Sequence, residues 1–585
     1  MDKNKLVRFF LLSVTLLVYF QIFKPKTKHQ PVPPIVKEGV QAKPVNDLAK
    51  TPFMDLTHGE KKDITVENEF FKIILSTEGG AIKNVLLKQY KDKHGQPLVL
   101  LDHKTSNMGL SFYYKQALVE TKNLYFQTTA NASYKLQETE EAKIIFRLVV
   151  NASQYLEQSF EFTGNSYKIN YTWTAVGMEK YMGKQSTACF LWDMDMKDIE
   201  SDTKSDVAKS TINYYLSNEA FDSLKTNSTK LEEKKLRVPI KWISIKQRFF
   251  SSAIIASNVF ASGKVSLDPI LDQDGVTKSA KLSLRLSKED KSKGHGSYTF
   301  FFGPNDYNIL RKVTKGFQQN LPLGWVIVRF VNQGLIIPLF TFLEKYFSNY
   351  GLIICFLVII LKLLLAPLSY KSFISMAKIK LLKPELDNIK AKYGNDLQKV
   401  QAEQMMLYRE LNINPLSGAV PILLQMPILL AIFNFLPNAL SLRQARFFWA
   451  SDLSTHDSIL TLPFSIPVYG DHVSLFTILM VISTMLYTWS SSQGGNTEGP
   501  MKILSYIMPI SVMFVLNSFP AGLSFYYFIS NIVSCLQQLV TKYFVNEEEL
   551  KAKLISKQKR GKQGLTASFQ KRVTAFIQHN KSKEQ

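Results

Sequence analysis

One lysine lies where the sequence otherwise reads as an apolar membrane span. Lys362 is near the middle of residues 352–368 (LIICFLVIILKLLLAPL), a run otherwise free of charge and long enough to cross a bilayer. A cation at the bilayer centre costs about 2.5–3.5 kcal/mol on insertion scales. From that depth the lysine stem is too short to reach bulk water. We therefore favour a functional cavity around Lys362 over a lysine that snorkels to the interface.

Polar residues recur in the other apolar segments. Taken singly, each is typical of interhelical hydrogen bonding in membrane bundles. Together with Lys362, they are equally compatible with a hydrophilic groove open to one side of the membrane, and the residue types leave both interpretations open. These residues are Gln425, Asn434, Asn517, Ser524, Asn531, Ser534, Gln537 and Gln538.

The remaining motifs argue against an enzyme. Ser375 and Lys378 match the S-x-x-K pattern of serine acyl enzymes, but the S-D-N and K-T-G companions are missing. There is no P-loop, no H-E-x-x-H and no glycine-rich dinucleotide fingerprint. The three cysteines are too few and too scattered for a disulfide framework or a zinc site. We expect no catalytic site, no metal and no cofactor.

The elements that must position Lys362 follow a split in polarity along the 585 residues. Residues 1–23 predict an uncleaved signal anchor, because a basic start precedes an apolar run without a small-residue cleavage site. Residues 24–60 predict a flexible linker rich in proline and lysine. Residues 24–320 are mostly polar and residues 321–545 strongly apolar, which predicts a soluble domain joined to a membrane domain.

The soluble domain, residues 61–320, is predicted to be all-β. Short alternating stretches such as 63–75 (DITVENEFFKIIL) and 157–176 recur between glycine-containing turns, which favours a sandwich. Residues 321–347 mix apolar residues with Arg329, and we expect an amphipathic helix that lies at the membrane interface.

The membrane core is predicted over residues 348–545, followed by a basic tail at 546–585. With the signal anchor, five core spans give six in total, and they are predicted at 351–368, 418–437, 473–489, 503–519 and 521–540. Residues 369–416 hold eight Lys/Arg and the chain after 541 holds eleven, whereas residues 438–472 hold two. The positive-inside rule therefore places the first two regions and both termini in the cytoplasm, and residues 24–350 and 438–472 outside.

The basic loop 369–416 is predicted to be a helical hairpin. Leu386 and Tyr393 lie on one helical face, and Asn395 with Gln398 is typical of a capping box for the second helix. Pro384 either kinks the first helix or starts a new one. Met376, Met405 and Met406 lie on or near the hairpin, where methionines suit either ordinary packing or varied apolar partners. The basic tail suits anionic lipid, ribosomal RNA or both.

Several long stretches resemble the YidC-type membrane protein insertases of bacteria. In the core they are 361–386 (LKLLLAPLSYKSFISMAKIKLLKPEL), 414–433 (NPLSGAVPILLQMPILLAIF), 442–454 (LRQARFFWASDLS) and 519–538 (FPAGLSFYYFISNIVSCLQQ). Residues 67–87 and 241–255 extend the resemblance to the soluble domain. The loop 442–475 looks most like the version in Bacteroidetes.

The resemblance implies a periplasmic β-supersandwich, five core helices and a hydrophilic groove that faces the cytoplasm. It implies that Lys362 occupies the groove position where the family usually has arginine, that Gln425 lines the groove, and that Tyr526 and Tyr527 form the aromatic pair of the last span. We add Asn531 from the polar set to these candidate substrate contacts. Met376, Met405 and Met406 are the candidates by which the hairpin receives the substrate.

The implied function is ATP-independent insertion and assisted folding of newly made inner-membrane proteins, alone or with the Sec translocon. The implied partners are nascent membrane proteins, the ribosome and signal-recognition-particle pathway, and anionic lipid, but not DNA. Two alternatives stay open. A secondary transporter would more often show more spans or an internal repeat. A carbohydrate-processing or carbohydrate-binding sandwich would need only the first span as an anchor.

Overall fold

The computed structural model describes residues 51–114, 117–182, 186–270, 275–394, 396–411, 413–414, 420–466, 469–492, 500–545, 550 and 552. The chain divides into two compact units between Pro322 and Leu323. The predicted signal anchor, most of the predicted linker and nearly all of the basic tail lie outside the described residues.

The unit before Leu323 is built almost entirely from strands. Its described strands are β1 Asp63–Glu67, β2 Phe71–Ser76, β3 Ala81–Lys91, β4 Pro97–Leu101, β5 Ser106–Tyr114, β6 Ala117–Glu120, β7 Ser133–Lys135, β8 Glu141–Asn151, β9 Gln154–Thr163, β10 Lys168–Val176, β11 Cys189–Lys197, β12 Thr211–Leu216, β13 Phe221–Ser223, β14 Glu232–Leu236, β15 Ile240–Lys246, β16 Phe250–Phe260, β17 Ser262–Pro269, β18 Val276–Arg285 and β19 His295–Pro304. Four short helices interrupt them, α1 Glu179–Met182, α2 Thr203–Lys209, α3 Lys288–Lys293 and α4 Tyr307–Leu310. Single 3-10 turns lie at Asp55–Thr57, Thr121–Asn123 and Phe317–Asn320.

These strands form three sheets. The orders are β4-β3-β2-β1-β7, β13-β12-β15-β16-β19-β10-β9-β8 and β14-β17-β18-β11-β5-β6. The pairing of β1 with β7 is parallel, and the other pairs described in these sheets are antiparallel. Antiparallel meanders can bury one face and leave the other to water, as the alternating strands of the sequence predict.

The core of this unit lies between the eight-stranded and the six-stranded sheet. The buried ring of Trp192 on β11 meets Phe300 and Phe302 on β19 edge-on, with ring centroids 5.9 and 6.0 Å apart. Tyr171 on β10 approaches Phe190 on β11 at 6.3 Å. Aromatic pairs of this geometry stabilise a core beyond the area they bury. The predicted β-sandwich is thus confirmed.

The alternating stretch 63–75 contains a turn. Its residues form two antiparallel strands, β1 and β2. The turn between them is held by Asn68, whose Oδ1 accepts hydrogen bonds from the backbone N–H groups of Phe70 and Phe71 at 2.9 and 2.8 Å. An asparagine that satisfies its own turn competes with strand continuation, and the alternating pattern hides this.

The unit from Leu323 onwards is mainly helical. Its described helices are α5 Val326–Val331, α6 Ile337–Glu344, α7 Tyr350–Leu381, α8 Lys383–Tyr393, α9 Leu397–Glu410, α10 Val420–Phe435, α11 Leu475–Ser492, α12 Pro500–Leu516 and α13 Ala521–Phe544. A π turn at Asn332–Ile336 joins α5 to α6. Single 3-10 turns lie at Leu436–Asn438 and Leu440–Leu442, and a hairpin of β20 Leu460–Ile466 and β21 Gly470–Val473 precedes α11.

Two of the described helical segments are long and apolar enough to cross a membrane. They are Val326–Glu344, with 19 residues, and Tyr350–Leu381, with 32. Shorter apolar segments are Leu423–Asn438, Leu475–Ser490 and Ile507–Leu516. The predicted helical membrane region is confirmed, whereas the count of six spans and the interfacial position of residues 321–347 stay predictions.

The first core helix is longer than its predicted span. We expected it to end near residue 368, but α7 continues through Pro367 to Leu381. A proline removes one intrahelical hydrogen bond, and membrane helices tolerate this loss when neighbouring groups compensate for it. The helical hairpin therefore consists of α8 and α9, and residues 369–381 belong to α7 rather than to the hairpin.

The hairpin helices begin at residues that differ partly from those predicted. Pro384 lies in the first turn of α8, so it starts a new helix. The N-cap of α9 is Asp396, whose Oδ1 accepts a hydrogen bond from the backbone N–H of Lys399 at 3.1 Å. The predicted cap at Asn395 was wrong by one residue, and Asn395 itself lies outside the described residues. Aspartate and asparagine cap equally well, so the sequence does not separate them.

Candidate substrate-contacting site

Lys362 lies within α7, between the buried Leu361 and the exposed Leu363 and Leu364. Its own side chain is half-buried. Among the described residues, no carboxylate forms an ion pair with it. Ionisable residues within apolar membrane segments commonly mark functional sites, and Lys362 stays a candidate for one.

The backbone of Lys362 connects α7 to the last helix. The side-chain amide of Gln537 on α13 donates a hydrogen bond to the backbone carbonyl of Lys362 at 3.0 Å. The next carbonyl along the helix, that of Leu363, is the one that Pro367 leaves without its usual N–H donor. Gln537 was among the predicted polar residues, and its interhelical role now explains its presence.

The polar set divides once its hydrogen bonds are known. Asn531 on α13 donates to the hydroxyls of Ser483 and Thr484 on α11 at 3.1 and 2.8 Å. Ser490 donates to Gln538 at 2.9 Å between the same two helices. These contacts are interhelical hydrogen bonds of the kind that membrane bundles use for packing. Asn531, which we expected among the substrate contacts, has its amide engaged in packing.

Other members of the set bind to backbone or near the helix ends. Asn434 donates to the carbonyl of Leu430 at 2.7 Å, within its own helix. Ser534 does the same to Ser530 at 2.8 Å. Ser524 lies 3.2 Å from the hydroxyl of Thr477. For these residues the packing interpretation is sufficient.

Gln425 lies on α10, and Tyr526 and Tyr527 lie on α13. Gln425 is half-buried on α10, between the exposed Leu424 and Met426. Tyr526 is 5% exposed, and its ring meets that of Tyr527 nearly perpendicularly at 5.9 Å. Within the described residues, no hydrogen bond joins any of these three side chains to Lys362. Their role as a common surface around Lys362 stays a prediction.

The hairpin of α8 and α9 has a small apolar core of its own. Leu382, Leu386, Leu411 and Ile413 are buried together there. Met405 and Met406 on α9 are exposed, as is Met376, which lies on α7. These methionines therefore do not form the hairpin core, and their flexible thioethers are accessible to an apolar partner.

A buried polar cluster that the sequence did not predict lies at the start of α11. The carboxylate of Asp457, 3% exposed, accepts hydrogen bonds from Trp449 Nε1 at 2.8 Å, from the backbone N–H of Phe476 at 3.0 Å and from the Ser474 hydroxyl. Ser474 in turn caps α11 by accepting from the backbone N–H of Thr477 at 3.1 Å. A serine directly before an apolar run is a helix-start signal, and it could have located this cluster.

Asn517 extends the same cluster. Its amide donates to the carbonyls of Tyr469 and His472 at 3.0 and 2.7 Å, and its Oδ1 accepts from the backbone N–H of Ser474 at 3.0 Å. The loop between α10 and α11 is thereby tied to the end of α12. The role of Asn517 is structural.

The first turn of α13 is capped by the same loop. The N–H groups of Ala521 and Gly522 donate to the carbonyls of Thr455 and Leu453 at 2.7 and 2.9 Å. A Cβ on Gly522 would lie 3.0 Å from the Leu453 carbonyl oxygen, which is tighter than most contacts of a Cβ and would need the loop to move by a few tenths of an ångström. Glycine therefore favours this close docking of loop and helix.

Comparisons with known proteins match both units of the chain. Residues 342–548 match the family model described as 60Kd inner membrane protein, and residues 63–338 match that of the YidC periplasmic domain. Membrane protein insertase YidC of Amoebophilus asiaticus is 47% identical over 593 residues, covering 100% of this chain and 99% of that protein. Its counterpart from Cytophaga hutchinsonii is 38% identical over 604 residues, covering 99% and 96%.

A crystal structure of an active YidC insertase with its first transmembrane domain aligns at 17% identity, covering 84% of this chain and 94% of that one, with a TM-score of 0.32. Relatives from Bacteroidetes are among the matches, and the predicted resemblance to the Bacteroidetes version is confirmed. On the basis of the 47% identity to the Amoebophilus asiaticus protein over the full chain and of the two family models, the chain belongs to the YidC family of membrane protein insertases.

Proposed function

We propose that this protein inserts newly made proteins into the bacterial inner membrane and assists their folding, without ATP. The observation that carries the proposal is the resemblance over the full chain to proteins named membrane protein insertase. The half-buried Lys362, with no described acidic partner, supplies the chemistry that such a function needs.

The mechanism we infer begins with the polar end of a nascent chain, which must cross the bilayer. A groove open to the cytoplasm, lined by Lys362, Gln425, Tyr526 and Tyr527, admits water into the inner leaflet and shortens the apolar path. An acidic segment of the substrate pairs transiently with Lys362. Charges at the wall of such a groove attract each other more strongly than charges in bulk water, because the protein lowers the effective dielectric constant.

The driving force comes from the substrate itself. Its apolar segment leaves the groove for lipid, and each buried CH₂ contributes about 0.8 kcal/mol. A span of some twenty apolar residues therefore offsets the transient exposure of its polar end without a nucleotide. The protein thus lowers the free-energy barrier to moving the polar end of the substrate across the bilayer, and it supplies no energy itself.

The hairpin and the basic tail act before this step. The exposed Met376, Met405 and Met406 receive the apolar segment, because unbranched thioether side chains adapt to varied partners. The basic tail holds the ribosome, through phosphate contacts, and anionic lipid nearby. Cooperation with the Sec translocon and the signal-recognition-particle pathway is part of the same proposal.

The proposed topology has six spans with both termini in the cytoplasm. The eight Lys/Arg of residues 369–416 and the eleven after residue 541 support it by the positive-inside rule. The helices α7, α10, α11, α12 and α13 are the five core spans, and the signal anchor at residues 1–23 is the sixth. Residues 24–350 and the loop 438–472 then lie on the periplasmic side.

Reconstitution of the purified full-length protein into liposomes tests the proposal. A small single-span substrate with a short acidic tail is added, and its protection from an external protease is measured. We expect protection above that of empty liposomes. Equal protection with and without the protein would overturn autonomous insertion and leave at most an accessory role beside a translocon.

A further inference from the structure

The loop between α10 and α11 ends in a two-stranded hairpin with an apolar outer surface. Ile459, Leu460 and Phe464 are 50%, 57% and 62% exposed. Residues 458–470 (SILTLPFSIPVYG) contain no charged side chain. Single exposed apolar residues are common on protein surfaces, whereas several that lie close together in the chain are typical of a contact with lipid or with a partner.

His472 is the one buried residue of β21. Leu460 pairs with Val473, and Thr461 pairs with His472. Paired residues of an antiparallel sheet lie on the same face, so His472 marks one face and Leu460 the other. His472 is buried, its ring stacks on that of His456 with centroids 3.8 Å apart, and its Nε2 lies 3.0 Å from the Asn517 carbonyl oxygen.

Along β20, Leu460, Thr461, Pro463, Phe464 and Ser465 are exposed, and Leu462 and Ile466 are half-buried. Both sides of this strand are therefore accessible. Its large exposed side chains, Leu460 and Phe464, are apolar.

The position of the hairpin also favours lipid. The hairpin ends at Val473 and α11 begins at Leu475, so the sheet lies within one residue of the end of a predicted span. Phe448 and Trp449, both exposed, lie in the same loop. Exposed aromatic side chains beside span ends are typical of the membrane–water interface.

We propose that β20 and β21 rest on the outer leaflet of the lipid bilayer with Leu460 and Phe464 buried in it, which anchors the periplasmic end of the core. The inference rests on the proposed topology, which places residues 438–472 outside. Insertion is shallow, because the open edges of a two-stranded sheet need water or lipid headgroups as hydrogen-bond partners. A protein partner is the less favoured occupant, since a docking surface of this kind usually carries a polar rim, and residues 458–470 carry no charge.

Fluorescence of a labelled cysteine tests the contact. In the full-length protein the native cysteines Cys189, Cys355 and Cys535 are replaced by alanine, and Phe464→Cys is labelled with a polarity-sensitive dye. The protein is reconstituted in vesicles of phosphatidylethanolamine and phosphatidylglycerol that contain phosphatidylcholine with a nitroxide at a shallow or a deep acyl position. Ser465→Cys, the exposed neighbour on the opposite side of the strand, is the matched control.

We expect blue-shifted emission at position 464 and stronger quenching by the shallow nitroxide than by the deep one, with water-like emission at position 465. Water-like emission at both positions would overturn the proposal. Blue-shifted emission without quenching by either lipid would overturn it in favour of a protein partner. If Phe464→Cys does not fold, Leu460→Cys gives the same readout.

Insertion of the acidic-tailed substrate by the same vesicles separates this inference from the proposed function. Lipid quenching at position 464 without insertion would refute the proposed function and retain the lipid contact. Insertion without quenching would refute the lipid contact alone.

Discussion

Gln537 binds the backbone of residue 362 and not its side chain, through a 3.0 Å hydrogen bond from its amide to the carbonyl oxygen. The contact between α7 and α13 therefore survives a change of the side chain at position 362. This separation allows the charge of Lys362 to be removed without loss of the interhelical bond. A substitution at position 362 therefore tests the attraction between Lys362 and an acidic substrate segment separately from the packing of α7 on α13.

We predict that Lys362→Leu lowers the insertion of an acidic-tailed substrate about tenfold, which corresponds to about 1.4 kcal/mol of lost attraction. Lys362→Arg retains the cation and is the matched control, and it should insert close to the wild-type level. Protease protection in liposomes measures both. Unaltered insertion by Lys362→Leu would refute the electrostatic step, and loss in both variants would indicate a packing defect.

We predict that the double variant Met405→Ser and Met406→Ser weakens capture of an apolar nascent segment. Both side chains are exposed on α9, so their replacement should leave the melting temperature unchanged. Loss of about 1 kcal/mol of apolar contact corresponds to a fall of about fivefold in crosslinking yield between hairpin and substrate. Gln401→Ser, at an exposed polar position of the same helix, is the control and should have no effect.

We predict that Asp457→Ala lowers the melting temperature of the detergent-solubilised protein strongly. It leaves the donors of Trp449, Ser474 and Phe476 without their acceptor, and each unsatisfied buried group costs about 1–3 kcal/mol. Asp457→Asn keeps one acceptor oxygen, so its melting temperature should lie between those of the wild type and of Asp457→Ala. A wild-type melting temperature for Asp457→Ala would contradict the central role assigned to this carboxylate.

Two glycines give a further contrast. Gly522→Ala should destabilise the core, because its Cβ would lie 3.0 Å from the Leu453 carbonyl oxygen and 3.3 Å from Leu442 Cδ1. Gly334→Ala, where a Cβ meets nothing within 4 Å, should be neutral or slightly stabilising, since alanine favours a helix by about 1 kcal/mol over glycine. Thermal unfolding in detergent compares the two variants. Equal effects would show that the loop does not hold the start of α13 closely.

The soluble unit offers a prediction on pH. Burial lowers the pKa of Lys278 to about 8, although its Nζ donates hydrogen bonds to the carbonyls of Ser210 and Thr226 at 2.7 and 2.8 Å. Between pH 8 and about 10.5 the unfolded chain binds this proton and the folded one does not, so folding stability rises with pH. Below pH 8 both states are protonated and the cost of burying the charge is constant.

We therefore expect the wild type to gain about 1 kcal/mol of unfolding free energy relative to Lys278→Met between pH 7 and pH 9. Denaturant unfolding at the two pH values measures this difference between the variants. The comparison cancels every other group that titrates alike in both proteins. A constant difference would mean that Lys278 keeps an ordinary pKa in the fold.

The sequence predicted the parts of the fold that follow from period and polarity. Alternating stretches located the sandwich, and apolar runs located the helical region. Lys362 could be found because a charge inside an apolar run contrasts with its neighbours. These signals are local, and each is contained in fewer than about twenty residues.

What the sequence did not predict depends on partners distant along the chain. Asn531 and Gln537 both looked like candidates for a groove, and only their contacts with Ser483, Thr484 and Lys362 show that they join helices. The continuation of α7 past Pro367 also depends on contacts with neighbouring helices. From the sequence alone, a proline inside a helical pattern predicts that the helix ends or kinks there. A polar residue in a membrane helix has no local signature that separates packing from function.

The carbonyl groups of Leu453 and Thr455 accept hydrogen bonds from the first residues of α13. Both residues precede α13 in the chain, so they are synthesised before it. Synthesis from the N-terminus thus builds the acceptor first and delivers the last core helix to a docking place that already exists. Until α13 arrives, the two carbonyls remain open to water or lipid headgroups. The insertase therefore completes its own assembly with the helix that carries Tyr526, Tyr527 and Gln537, so an unfinished chain lacks half of its candidate substrate surface.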